Sequence, residues 1–198
     1  FACACGTGSE NPVAPDWSVG ISPSPSGVAV VGVTNLTFAA ELANPPAGPV
    51  SYGWVFGDGT TASGSEVSHV FSTEGRFDVT VTAADAGGES RSATVAFQAR
   101  SLSGQWTPLQ NGVPGIEAVI TQEGSRIWGR SRNSHFTHYY SGQLSTPRVV
   151  TMIFRFSGCP DKNRIFVGTA TEDLNGISLT GPNCNVPATT FSFRRPAP

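Results

Sequence analysis

The stretch Arg76-Phe77-Asp78-Val79-Thr80-Val81-Thr82-Ala83 alternates side chains in steps of two, with Phe77, Val79, Val81 and Ala83 on one parity. Only an extended strand with one buried face can use that period. Runs of the same kind recur down the chain: WSVGIS, GVAVVGV, LTFAAEL, SYGWVF, EVSHVF, RFDVTVTAA and SATVAF, then GIEAVITQ, SRIWGRS, RVVTMIFRF, RIFVGTAT, GISLTG and TTFSFRR. Clusters of Gly, Pro, Ser and Asn separate them at spacings of about ten residues, the rhythm of antiparallel all-β folds. No 3.6-residue apolar period persists beyond two turns, so amphipathic helices are not expected. The 23 glycines and 15 prolines supply turns, and a charged fraction of only 13% fits neither a helical surface nor a disordered chain.

Pattern and composition divide the chain into an N-terminal arm at residues 1–14, a first β domain at 15–99 and a second at 100–198. The joining segment QARSLSGQW is short, so the two domains are expected to sit close together. Net charge is −2, but residues 1–99 hold nine acids and two arginines, while residues 100–198 hold five acids and ten basic residues. Opposed halves of this kind suit contact with copies of the same chain, or docking of the halves on each other.

In the first domain, alternation places Tyr52, Trp54 and Phe56 on one strand face and Phe77, Val79, Val81 and Ala83 on another. The sequence Gly57-Asp58-Gly59-Thr60 between them carries the glycines a tight turn needs. Asp58 reads as a turn carboxylate capping its own backbone, with calcium ligation as the competing role. Downstream stand Val67, Ser68, His69, Phe71, Gly75, Phe77, Val79, Thr80 and Val81. With Trp54-Val55-Phe56-Gly57-Asp58-Gly59, this pattern resembles the PKD domain, an immunoglobulin-like β-sandwich. The resemblance implies a non-catalytic module for adhesion, spacing or contact with proteins and polysaccharides, with His69 structural. Phe71 and Phe77 replace the tyrosines usual in that family.

The second domain opens on Leu102-Ser103-Gly104-Gln105-Trp106 and continues through short strands to TTFSFRR. This is similar to small antiparallel up-and-down barrels of the lipocalin and avidin type found among bacterial exported proteins. Six to eight strands fit the available length, enclosing side chains or one small ligand. The least core-like stretch is SRIWGRSRNSHFTHYYSG. It gathers Arg126, Trp128, Arg130, Arg132, His135, His138, Tyr139 and Tyr140, which are the candidate binding residues. Guanidinium forks beside aromatic rings suit anionic sugars, other acidic polymers or an acidic protein face. The competing reading is a hairpin whose aromatics cover a barrel end and whose arginines are solvated.

Four cysteines remain. Cys159 and Cys184 flank two strands and a turn and are expected to form a disulfide, which points to an oxidising, extracellular or cell-surface location. Cys3 and Cys5 cannot complete a metal shell, so they read as an interchain link or as the remnant of a lipid anchor. No apolar run is long enough for a transmembrane segment. No nucleophile elbow, metalloprotease helix, phosphate-binding loop or dinucleotide fingerprint occurs, and no catalytic residue, metal or other cofactor is expected. Neither an RNA-binding motif nor a lysine-rich groove argues for nucleic acid.

The leading expectation is therefore a non-catalytic surface protein. It assembles with copies of itself or docks to another surface component. A carbohydrate-binding accessory module and a lipocalin-like small-ligand binder are the alternatives.

Overall fold

The computed structural model describes residues 16–132, 137–145, 148–156, 163–183 and 186–196. The arm at 1–14, all four cysteines and His135 lie outside them, so the expected Cys159–Cys184 disulfide and the roles of Cys3 and Cys5 are not reached. The described residues are all-β: an immunoglobulin-like sandwich followed by a closed antiparallel barrel.

The sandwich has a three-stranded sheet in the order β1 (Ser18–Ser24), β3 (Leu36–Ala43), β6 (Glu66–His69). Facing it are β2 (Ala29–Val30), β8 (Ser90–Arg100), β7 (Gly75–Asp85), β4 (Val50–Val55) and β5 (Thr61–Ser63). Strand alternation fills the space between the sheets as expected. Trp54, Phe56, Val79, Val81 and Ala83 are buried. Phe38 from the opposite sheet sits within 6.2 Å of the Trp54, Phe56 and Phe97 rings. Where the family usually has hydroxylated rings, Phe71 and Phe77 stack at 4.3 Å instead.

The GDG turn is held by its own carboxylate. Asp58 accepts hydrogen bonds from the Thr60 amide (3.0 Å), the Thr60 hydroxyl (2.6 Å) and His69 Nε2 (2.7 Å). The His69 ring stacks on Phe56 at 4.1 Å. Burial pushes the Asp58 pKa up, but the bonds from Thr60 and His69 outweigh it and hold the pKa below the usual value.

The barrel closes eight strands. They are β9 (Gly104–Gln110), β11 (Glu117–Glu123), β12 (Arg126–Arg132), β13 (Thr137–Ser145), β14 (Val149–Arg155), β15 (Asn163–Ala170), β16 (Gly176–Asn183) and β17 (Val186–Arg194). Closure comes from β17 pairing with β9, with Phe193 opposite Pro108, and the short β10 (Val113–Pro114) folds back on β9. The interior is a packed core. Phe154 lies 4.9 Å from both Phe166 and Phe191, with Met152, Leu179 and Phe193 fully buried around them.

Inward glycines let the strands coil tightly enough to close. A Cβ at Gly129, Gly142 or Gly168 would run into the carbonyls of Val119, Thr151 or Ser178 on the neighbouring strand.

One expected strand behaves differently. VAVVGV at 28–33 supplies only the two-residue β2, which pairs parallel with β8, and then turns. The run is shared between two cores. Ala29 and Val31 join the sandwich, while Val28, Val30 and Val33 pack into one end of the barrel. A run buried on both faces shows no apolar–polar alternation, so the sequence reads as an ordinary internal strand.

Candidate binding face of the barrel

Alternation along β12 sends Ile127 and Ser131 inward and Arg126, Trp128, Arg130 and Arg132 outward. On β13 the inward set is His138, Tyr140 and Leu144, and the outward set is Tyr139, Ser141 and Gln143. Register then lines up rows across the sheet. Trp128 is opposite Ser141, Ser141 opposite Ile153, and Ile153 opposite Ile165. The row on one side of this one runs Arg130, Tyr139, Arg155, Asn163, and the row on the other side runs Arg126, Gln143, Thr151, Val167.

Five large apolar or aromatic side chains are exposed on this one face: Trp128, Tyr139, Ile153, Ile165 and Val167. Side chains directly opposite sit about 5 Å apart and diagonal ones about 7–8 Å apart, so these form a single surface. Ser141 is the small residue in the middle, with Trp128 on one side and Ile153 on the other. The result is a shallow groove of about 650 Å³ lined by Glu123, Arg126, Trp128, Ser141, Gln143 and Ile153, with Thr151 beside them. Past Ser141 and Ile153 it continues into a hollow of about 180 Å³ bounded by Tyr139 and Arg155.

Two of the candidate binding residues face the other way. Tyr140 lies inside the barrel, where its hydroxyl donates to the Val119 and Arg130 carbonyls, both at 3.0 Å. Burial pushes its pKa well up. His138 is also buried, 5.1 Å from the Phe156 ring, and burial pushes its pKa below the usual value. It lines a separate cavity of about 270 Å³ at the barrel mouth, with Pro108, Val113, Ser131, Arg132 and Phe191. Among the described residues the barrel interior is filled by side chains, and this cavity opens beside them.

The candidates legible in the sequence lie in one contiguous stretch and do not include Ser141, Gln143, Ile153, Arg155, Ile165 and Val167 as members of the same face. Only strand register brings these beside Trp128. A hint existed in RVVTMIFRF, which is apolar at both parities although one face of a barrel strand meets solvent. Among the described residues no group of three or more His, Cys, Asp and Glu is placed to hold a metal ion.

No curated protein matches the sequence. Among solved structures, a study of carbohydrate-binding modules of the β-sandwich superfamily aligns at 16% identity and a TM-score of 0.42, over 92% of this chain and 93% of the other. A lipoprotein from Bacteroides thetaiotaomicron aligns at 12% identity and a TM-score of 0.38, over 89% and 100% of the two chains. Fibronectin(III)-like modules of Clostridium thermocellum CbhA align at 16% and 0.37, over 88% and 90%. The family model of the PKD domain matches residues 27–99, the segment holding the GDG turn and the Trp54, Phe56, Val79 and Val81 core, so the N-terminal half of this chain carries a PKD domain.

Proposed function

We propose that this chain is an exported, non-catalytic recognition protein in which the PKD domain supports a barrel that docks a polysaccharide on its outer face. The observation that carries the reading is the groove over β12, β13 and β14. It combines exposed Trp128 and Tyr139 with Ser141, Gln143, Thr151 and Arg126 around a small-residue floor. Soluble proteins rarely leave a contiguous apolar patch open to water without a partner. An extended glycan satisfies both halves of the chemistry. Its ring C–H faces stack on aromatic side chains, and its hydroxyls bond to the serine, threonine, glutamine and arginine groups alongside. PKD domains are non-catalytic spacers and contact modules, which agrees with a supporting role and with location outside the cell or at its surface.

A glycan array followed by calorimetric titration tests this. Binding of at least one polysaccharide is expected, weakened about tenfold or more by Trp128→Ala, with Tm unchanged because the ring is on the surface. No binding to any glycan, together with a concentration-dependent dimer that Trp128→Ala abolishes, would instead make this face a contact between copies.

A further inference from the structure

We propose that this face of the barrel selects an acidic polysaccharide, whose uronate carboxylates are held by Arg130 and Arg155 on either side of Tyr139. The inference rests on the glycan reading and narrows its ligand class.

Arg130, Tyr139 and Arg155 occupy one cross-strand row on three successive strands. All three side chains are exposed, and the Tyr139 ring is 58% open to solvent. Strands lie about 4.8 Å apart, so the two arginines are rooted about 10 Å from each other with an aromatic platform between them.

The charges around them are distributed unevenly. Glu117 stands directly opposite Arg132 and Glu123 directly opposite Arg126, at the two ends of β12. Arg130 instead faces Val119 on one side and Tyr139 on the other, and Arg155 faces Tyr139 and Asn163. Among the described residues neither guanidinium takes part in an ion pair or a side-chain hydrogen bond, so the middle of the face carries uncompensated positive charge.

A guanidinium fork matches a carboxylate in a bidentate, planar pair. The same cation is weakly hydrated and tolerates a neighbouring ring. A neutral glycan uses the tyrosine but offers the forks only single hydroxyl oxygens in place of a bidentate, charged partner. A polymer of uronic acids uses all three groups together, each arginine on the carboxylate of a different sugar residue. The charge of the ligand complements the charge left unpaired by the fold.

The test titrates the whole chain with polygalacturonate, with its methyl-esterified form, with a neutral β-glucan and with dextran sulfate. Tight binding to polygalacturonate is expected, falling as salt is raised and falling about tenfold or more on esterification. Replacing Arg130→Gln and Arg155→Gln together should remove about the same amount, and Tyr139→Ala should weaken binding to the acidic polymer as well, all with unchanged Tm. Equal binding of the free and esterified polymers overturns the uronate selection while leaving the glycan reading in place. Absence of binding to every polysaccharide overturns both. Dextran sulfate binding as well as polygalacturonate, with Tyr139→Ala indifferent, also overturns the selection, since a generic polyanion field would then account for it.

Discussion

The carboxylate of Asp58 organises the GDG turn of the PKD domain. It closes the GDG turn on Thr60 and ties it to β6 through His69, and it fixes the ring that covers Phe56. Gly57 beside it has φ 78, and a Cβ there would lie 3.0 Å from both the amide nitrogen and the carbonyl oxygen of Asp78. Asp58→Ala is expected to cost about 1–2 kcal/mol, measured as a shift in the denaturant midpoint. The folded pKa of Asp58 is depressed, so its contribution is present above the unfolded value of about 3.9 and is lost as pH falls through the folded value. Tm should therefore drop below about pH 4, and Asp58→Asn should flatten part of that drop. An unchanged pH profile in the Asn variant would show that the carboxylate is not the group responsible. Asp173, in the turn between β15 and β16, is held down to about 2 by hydrogen bonds from the Thr171 hydroxyl and from Asn175. It is exposed, so solvent screens most of its effect on stability.

At the scale of elements, the sequence carries the strands and hides one of their devices. Residue alternation predicts nearly every barrel strand, and Trp106, Phe154, Phe166 and Phe193 fall on the inward parity that it implies. What alternation does not reveal is why Gly129, Gly142 and Gly168 occupy inward positions in the middle of strands. They are where adjacent backbones approach too closely for any Cβ. Gly142→Ala and Gly168→Ala should each destabilise the barrel by about 1–3 kcal/mol or more. Ser141→Ala, one residue away and facing out, should cost less than about 0.5 kcal/mol. Chemical denaturation followed by Trp fluorescence measures all three, and an alanine tolerated at Gly142 would contradict the close approach.

The whole molecule is joined by an end-on contact rather than by a flexible tether. Val30 of the PKD domain is 1% exposed within the barrel core. Around it, Gln122 donates to the Val31 carbonyl at 2.9 Å, and Arg100 donates to the Asp173 carbonyl at 3.2 Å and to Asn175 Oδ1 at 3.1 Å. The Ser101 amide donates to Glu74 at 3.0 Å. Arg195 bonds to the Ser101 carbonyl and covers the Trp106 ring at 4.8 Å, sealing the same end. Burying Val30 is worth roughly 1.5–3 kcal/mol to the junction. The intact chain is expected to melt in one calorimetric transition, and Val30→Ala combined with Gln122→Ala should separate it into two. Two transitions in the unaltered chain would mean that the domains do not support each other. Such a junction gives the proposed binding face a fixed orientation relative to the PKD domain.

The sequence by itself determined most of the strands, the PKD turn and core, and the clustering of arginine and aromatic residues after residue 125. Each of these follows from local alternation or from side-chain type within a few positions. Tertiary structure alone decided which of those residues share a surface. It turned Tyr140 and His138 inward, set Arg155 and Ile153 beside Tyr139 and Ser141, and sent Val30 out of its own domain into the barrel. The physical reason is that barrel closure and strand register are collective, set by how many strands fit around one core. No local stretch of sequence carries that information.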